Sequence, residues 1–106
     1  MDPRLERLTE KQFQSMVVGL ARQLSWRVFH PYDSRRSVPG YPDLTLCHAE
    51  HGVIWAELKT EKGRVSPAQQ EWLDHLTSAG QTAVIWRPRH WADRTIQEAL
   101  NPGAWP

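Results

Sequence analysis

The sequence predicts an α/β domain with a mixed central sheet flanked by helices. Its elements follow the order helix, strand, strand, strand, helix, strand, with a short C-terminal helix after them. Two capped amphipathic helices and one strictly alternating hairpin carry this prediction. The strands on either side of the second helix are expected to lie parallel, because a right-handed crossover would join them. At 106 residues, the chain is expected to form a single domain over residues 1–106.

The first helix is marked by a capping box and one apolar stripe. Thr9 followed by Gln12 is typical of a helix start. Apolar residues then recur at helical spacing: Phe13, Met16, Val17, Leu20, Ala21 and Leu24. We expect a helix from Glu10 to Leu24. The polar segment before it, Met1 to Leu8, is expected to fray.

A short strand and a long loop follow. Trp26 to His30 is aromatic and β-branched, which favours a strand. The segment from His30 to Tyr41 contains prolines, a glycine, serines and the pair Arg35-Arg36. This composition predicts a loop with local positive charge.

The hairpin predicted from Asp43 to Cys47 and from Val53 to Lys59 is the centre of the chain. A simple turn sets Asp43 opposite Glu57, and period-2 alternation places Lys59 on the same face. The other face is apolar and comprises Leu44, Leu46, Ile54, Ala56 and Leu58. Cys47 is interpreted as a small hydrophobic strand residue.

The second helix has clear signals at both ends. Ser66 is a capping residue, Pro67 suits the first helical position, and Gln69 completes a capping box. Gly80 lies where a glycine commonly ends a helix.

The remaining elements are a strand and a last helix. Thr82 to Arg87 is an apolar strand that Pro88 stops. Trp91 to Leu100 predicts one short helix whose inward residues are Ala92, Ile96, Ala99 and Leu100.

Composition excludes several classes of protein. The formal net charge is +1, so any attraction for phosphate must be local. A single cysteine excludes an internal disulfide and a cysteine-based zinc cluster. No apolar stretch reaches the length of a membrane span, and no signal pattern opens the chain, so a cytoplasmic protein without membrane association is expected.

The acids of the hairpin suit a metal. Two carboxylates as close as directly opposed strand residues repel each other unless a cation lies between them. Asp43 and Glu57 offer oxygen ligands to a hard cation such as Mg²⁺, and the backbone carbonyl of Leu58 is a further candidate ligand. Lys59 can stabilise developing negative charge or help to position a water. The alternative is that Glu57 and Lys59 are ordinary exposed strand residues.

Three stretches resemble the virus-type replication–repair nuclease (VRR-NUC) domain of the PD-(D/E)xK superfamily. They run from Gly40 to Leu44, from Trp55 to Lys59, and from Ser66 to Leu73. The resemblance extends from about Thr9 to Pro88 and implies a restriction-endonuclease-like αβββαβ core.

This resemblance implies a Mg²⁺- or Mn²⁺-dependent endonuclease that hydrolyses DNA phosphodiester bonds. The metal-binding acids of the family motif fall on Asp43 and Glu57, its lysine on Lys59, and its glutamine on Gln69. Small stand-alone members are typical of bacteriophages and are similar to junction-resolving nucleases that act as homodimers. A homodimer, selectivity for branched DNA and a location in the host cytoplasm are the corresponding expectations.

Two further site residues have structural alternatives. Glu10 is a candidate catalytic acid on the first helix, where Gln14 lies one turn later, and it equally suits the helix dipole as a first-turn acid. Gln69 is a candidate site residue, although a capping-box glutamine needs no other role.

Four basic residues are candidates for DNA binding: Arg35, Arg36, Lys62 and Arg64. They flank the acids in sequence, and arginine clamps phosphate well. The alternative is a pair of solvated loops. His30 ends the first strand and could reach the substrate, although a lone histidine is more often structural.

Two other functions remain open from the sequence. One is a catalytically inactive module of the same fold that binds branched DNA or a replication protein. The other is an unrelated metal-free α/β interaction domain that uses exposed tryptophans as its contact surface.

Overall fold

The computed structural model describes residues 1–31 and 38–104. Five helices and four strands alternate along these residues: α1 (Pro3–Glu6), α2 (Glu10–Gln23), β1 (Arg27–Phe29), β2 (Leu44–His48), β3 (Gly52–Leu58), α3 (Pro67–Ser78), β4 (Thr82–Trp86), α4 (Pro88–Ala92) and α5 (Thr95–Leu100). This order confirms the predicted α/β class and its αβββαβ core.

The four strands form one mixed sheet in the order β1-β2-β3-β4. β1 and β2 pair antiparallel, as do β2 and β3, whereas β3 and β4 pair parallel through the crossover helix α3. Cys47 pairs with Val53 and Leu44 pairs with Ala56, which is the register that the sequence predicts. The ladder ends at Leu44, so Asp43 lies one residue before β2.

One face of the sheet carries the main core. Its strand residues Leu44, Leu46, Ile54, Ala56 and Leu58 are all buried, as predicted, and they form one cluster with Phe13, Val17 and Ala21 of α2 and with Ile96 and Leu100 of α5. Trp26 joins this core, and its indole N–H donates a hydrogen bond to the carbonyl of Leu100 at 2.8 Å. Helices α2 and α5 therefore cover the same face.

Helix α3 lies on the other face. The Tyr41 ring contacts Trp72 of α3 edge to face, with ring centroids 5.0 Å apart, and the Tyr41 hydroxyl accepts a hydrogen bond from Trp55 of β3 at 3.1 Å. Trp55 and Glu57 alternate with the core residues along β3, so their side chains point towards α3. The carboxylates consequently lie on the opposite side of the sheet from the main core.

Both predicted capping boxes are present. Thr9 and Gln12 exchange hydrogen bonds at the start of α2, and Ser66 and Gln69 do so at the start of α3. Each box satisfies backbone N–H groups that lack a partner within the helix. The expectation that the residues before α2 fray is wrong, because Pro3–Glu6 forms a helical turn capped by the side chain of Asp2.

The predicted last helix is two short helices, and its prediction as one element is wrong. Arg94 lies in the left-handed region at φ 69° and separates α4 from α5. The Asp93 carboxylate accepts hydrogen bonds from the backbone and the hydroxyl of Thr95, which starts a new helix at that point. Ile96 and Leu100 are buried as expected, but Ala92 is exposed.

Cys47 and Trp86 differ in their exposure to solvent. Cys47 lies on β2, the strand position that the sequence predicts, and it is exposed. Trp86 is a buried residue of the main core. Within residues 1–31 and 38–104, no helix has both the length and the apolar character that crossing a bilayer requires.

Candidate active site

The candidate active site lies where β2 and β3 separate. Asp43 precedes the first residue of β2, and its carboxylate accepts a hydrogen bond from the backbone N–H of Leu58 at 2.8 Å. The side chain thereby replaces the missing ladder partner and is fixed beside the end of β3. Because the N–H and C=O of one strand residue point to the same side, the Leu58 carbonyl is directed towards Asp43 as well.

Glu57 is buried next to Asp43 without a satisfying partner. Its side chain is 1% exposed, and among the described residues neither carboxylate oxygen has a hydrogen-bond partner. The Nζ atom of Lys59 lies 3.4 Å from Oε2 of Glu57, which is an ion pair longer than an ordinary hydrogen bond. A buried carboxylate left in this state is costly unless another group compensates its charge.

Burial raises the pKa values of both carboxyl groups. Loss of solvation, followed by the charge of Asp43, raises the pKa of Glu57 to about 8, and Lys59 opposes the shift. Burial also raises the pKa of Asp43, against the lowering effects of the Leu58 N–H, of Glu57 and of Lys59. The two carboxyl groups interact directly, so protonation of one favours ionisation of the other.

The donor set fits a hard divalent cation. Across residues 1–31 and 38–104, no group of three or more His, Cys, Asp or Glu side chains is arranged to hold a metal. Mg²⁺ does not require such a group, since it commonly binds through one or two carboxylates and takes water and substrate phosphate as its other ligands. The unpartnered oxygens of Glu57 beside Asp43 supply this smaller set.

Glu10 starts α2 at the same end of the sheet. Burial raises the pKa of Glu10, the charge of Asp43 adds to the shift, and Lys59 lowers it. This mutual influence places Glu10 within electrostatic reach of both residues. It also lies in the first turn of α2, where a negative charge suits the helix dipole, so its position is compatible with both predicted roles.

Gln69 borders the site from α3. It is half-buried and lines a cavity of about 410 Å³ together with Asp43. Its Oε1 accepts a hydrogen bond from the backbone N–H of Ser66 at 2.8 Å, which is the capping-box contact. The capping function is therefore present, and the side chain still faces the cavity.

Further polar side chains line the same cavity. His30 and Gln14 line it, as do the unpredicted residues Lys11 and Tyr41. Lys11 directly follows Glu10 in the chain, and this adjacency was the available signal for it. A cation at the cavity wall suits a phosphate-bearing ligand.

Gly40 explains how the segment before Asp43 is held. Its φ is +83°, and a Cβ atom there would lie 2.4 Å from the carbonyl of Ala68 and 2.7 Å from the backbone nitrogen of Gln69. Only glycine permits this approach to the first turn of α3. The contact brings the segment that carries Asp43 against the start of α3, and Asp43 and Gln69 line the same cavity.

The predicted basic residues divide into two groups. Lys62 and Arg64 are exposed in the loop that follows β3 and Lys59. Arg35 and Arg36 lie outside the described residues. A further arginine that the sequence analysis missed, Arg87, binds the loop containing Lys62 through its guanidinium group.

These features define an α/β domain of nuclease type, with an acid pair and a lysine where two central strands diverge. The chain belongs to the VRR-NUC family, because the sequence profile of the VRR-NUC domain matches residues 3–89. The resemblance that the sequence motifs indicated is thereby confirmed.

The fold is confirmed independently. A solved structure described as a VRR_NUC domain protein superposes with a TM-score of 0.67, covering 91% of this chain and 91% of its own, at 21% sequence identity. This likeness supports the shared fold rather than a shared substrate. No curated protein matches the chain.

Proposed function

We propose that this protein is a Mg²⁺- or Mn²⁺-dependent endonuclease that hydrolyses DNA phosphodiester bonds. The observation that carries the proposal is the buried, unpartnered carboxylate of Glu57 beside Asp43 and Lys59. Membership in the VRR-NUC family supports nuclease chemistry at this position. An inactive binding module would have no need to keep a costly buried acid next to a second one.

Each residue has a defined role in this proposal. The carboxylates of Asp43 and Glu57, with the Leu58 carbonyl, would hold the metal, which would supply a Lewis acid and lower the pKa of a water bound to it. Water attacks phosphorus in line with the sugar oxygen that leaves, and the Lys59 ammonium stabilises the charge that develops on the phosphoryl oxygens. The attacking water gives up a proton to solvent as its oxygen bonds to phosphorus, and the leaving sugar oxygen takes up a proton as its P–O bond breaks.

The surrounding residues would position the substrate. Gln69 lines the cavity with Asp43, and Glu10 lies within electrostatic reach of Asp43 at the start of α2, so both would orient water or phosphate. Lys62 and Arg64 would contact the DNA backbone, and the same role is proposed for Arg35 and Arg36.

A homodimer acting on branched DNA is the corresponding proposal for the partners. A chain with a net charge of +1 holds DNA weakly, because affinity for DNA depends largely on neutralised phosphates. Two copies would double the number of basic side chains in contact with one substrate. Sedimentation of the protein alone measures whether it is a dimer. Sedimentation with a four-way junction measures whether it binds branched DNA.

The central experiment is a cleavage assay on supercoiled plasmid and on a four-way junction, with Mn²⁺, with Mg²⁺ and with chelator. We expect cutting that requires the metal and is lost in Asp43→Ala and in Lys59→Ala. Metal-dependent cutting that survives both substitutions would refute the site assignment. DNA binding without cutting under every condition would instead support the inactive module.

A further inference from the structure

Arg87 makes an unusual set of contacts just after β4. Its Nη1 donates hydrogen bonds to three backbone carbonyls, those of Thr60 at 2.8 Å, Glu61 at 3.3 Å and Gly63 at 2.8 Å. A charged donor binds carbonyls more strongly than a neutral one does. The guanidinium group therefore fixes the turn that directly follows Lys59.

This turn lies against the side chain of Lys59. The N–H of Gly63 donates to the carbonyl of Thr60 at 3.2 Å, which closes the turn. A Cβ atom on Gly63 would lie 3.0 Å from Oγ1 of Thr60 and 3.5 Å from Cδ of Lys59. The backbone at Gly63 consequently forms one wall of the space that the Lys59 side chain occupies.

A second contact holds the turn from the same side. The carboxylate of Glu61 accepts a hydrogen bond from the backbone N–H of Arg89 at 3.0 Å and forms an ion pair with the Arg89 guanidinium. Most of the Arg89 side chain is exposed, so this ion pair is the weaker of the two attachments. The half-buried Arg87 contacts are the stronger one.

The backbone of Lys59 is also tied to the strand that carries Arg87. The N–H of Lys59 donates to the carbonyl of Trp86 at 3.0 Å, and Arg87 is the next residue. The Lys59 side chain is 12% exposed, and its Nζ lies 3.4 Å from Glu57. One short segment of β4 and its continuation thus fixes the backbone of Lys59 and the turn that covers its side chain.

We infer that Arg87 is a positioning residue for Lys59. It holds the turn over residues 60–63 against the alkyl part of the lysine and so keeps the ammonium group beside Glu57. The catalytic consequence rests on the proposed function, in which Lys59 stabilises the transition state. The positional part stands on the contacts alone and is measured without any cleavage.

Lysine modification tests the positional part. The chain has three lysines, Lys11, Lys59 and Lys62, so limited acetylation followed by mass spectrometry reports on each. In the wild type we expect Lys59 to react slowly relative to the exposed Lys11. Arg87→Ala should raise the ratio of the Lys59 acetylation rate to the Lys11 rate roughly fivefold or more, because the turn over the Lys59 side chain opens. Arg87→Lys should restore part of the protection.

A matched variant controls for lost charge. Arg27 is exposed on β1 opposite Cys47, far from Asp43, and Arg27→Ala removes the same charge without touching the turn. Its acetylation ratio should match the wild type. Gly63→Val keeps Arg87 but places a branched side chain against Thr60 and Lys59, and it should also raise the ratio. This variant decides the question if Arg87→Ala does not fold.

Cleavage kinetics test the catalytic part. We expect Arg87→Ala to lower kcat about tenfold while KM changes less than about threefold, because a misplaced ammonium weakens transition-state stabilisation rather than DNA binding. A ratio of lysine reactivities within twofold of the wild type in folded Arg87→Ala and in Gly63→Val would overturn the inference. If the wild type does not cleave DNA, the proposed function fails while the acetylation result still decides the position of Lys59.

Discussion

The two ends of the β2–β3 hairpin differ in how their polar side chains are accommodated. At the turn, the rings of His48 and His51 stack with centroids 4.4 Å apart, and Nδ1 of His48 accepts a hydrogen bond from the backbone N–H of Glu50 at 3.0 Å. At the open end, Glu57 is buried without a hydrogen-bond partner in the described part of the chain. The strand register is continuous between the two ends.

This difference shows which polar residues of the hairpin need an explanation beyond folding. Glu50 is exposed, and solvent compensates its charge at no cost. Glu57 loses its solvation, and within the described residues folding supplies only the ion pair with Lys59 at 3.4 Å and no hydrogen bond, so its burial points to a ligand.

The largest effect is expected from a matched pair of glutamate substitutions. Glu57→Gln removes the charge at the open end and should lower metal-dependent cleavage ~100-fold or more, because a neutral amide is a poor ligand for Mg²⁺. Glu50→Gln makes the same chemical change at the turn and should leave cleavage within twofold of the wild type. Single-turnover cleavage of a junction measures both.

One result would contradict a metal-binding role for Glu57. If Glu57→Gln cleaves DNA at the wild-type rate with Mg²⁺, the buried carboxylate is not a metal ligand, and the two ends of the hairpin differ only in packing. Circular dichroism of each variant ensures that a lost activity does not reflect a lost fold.

The next largest effect concerns the stability of the metal-free protein between pH 5 and pH 8. The pKa of Glu57 is raised from its ordinary value of 4.5 to about 8, so the folded state keeps a proton that the unfolded chain has lost. The unfolded state then binds fewer protons, and stability falls as pH rises through this window. We expect Tm to fall by roughly 5 °C or more in chelator.

Two comparisons isolate this effect from other titrating groups. Glu57→Gln in chelator should lose less Tm over the same window, since its side chain does not ionise. Mn²⁺ or Mg²⁺ added to the wild type at pH 8 should raise Tm, because a ligand that binds only the folded state stabilises it. A wild-type Tm that rises from pH 5 to pH 8 in chelator would contradict the assignment of a raised pKa.

Local signals in the sequence accounted for most of the fold. The two capping boxes start α2 and α3 at the predicted residues, and alternation along the hairpin sets the register that buries Leu46 and Ile54. The prediction of a single last helix was wrong because the helix is interrupted at a turn. In this turn the Asp93 carboxylate accepts a hydrogen bond from the backbone N–H of Thr95, and Arg94 adopts a positive φ. Apolar spacing carries no information on such a turn.

The site was predictable where its residues share one hairpin and less so elsewhere. The register that a simple turn sets, combined with period-2 alternation, is enough to bring Asp43, Glu57 and Lys59 together. Arg87 contacts a turn that lies more than twenty residues earlier in the chain, and no local pattern signals that contact. Lys11 reaches the cavity only because the start of α2 lies beside it, which is a property of the tertiary packing.

A smaller effect is expected for Glu10. Glu10→Gln should lower cleavage about tenfold, because the charge of Glu10 acts on Asp43 and Lys59 without a direct contact to the buried acids. Glu6→Gln is a suitable control, since Glu6 is exposed on α1. Equal activities of the two variants would leave Glu10 with only its role at the start of the helix.

The smallest effect comes from the two capping-box glutamines, which form a matched pair. Gln12 and Gln69 each close a box at the third position of a helix, but only Gln69 also lines the cavity with Asp43. Replacing either one with alanine should cost about 1 kcal/mol of stability, because in each variant the backbone N–H of the N-cap residue loses its acceptor. Chemical denaturation should therefore show similar losses for the two variants.

Cleavage separates the two glutamines where stability does not. Gln69→Ala should lower the rate about three- to fivefold, since its amide would no longer orient a water or phosphate at the open end of the hairpin. Gln12→Ala should match the wild type at a temperature well below both melting transitions. If both variants lose activity equally, Gln69 contributes only its cap, and the open end would depend on the acids and the lysine alone.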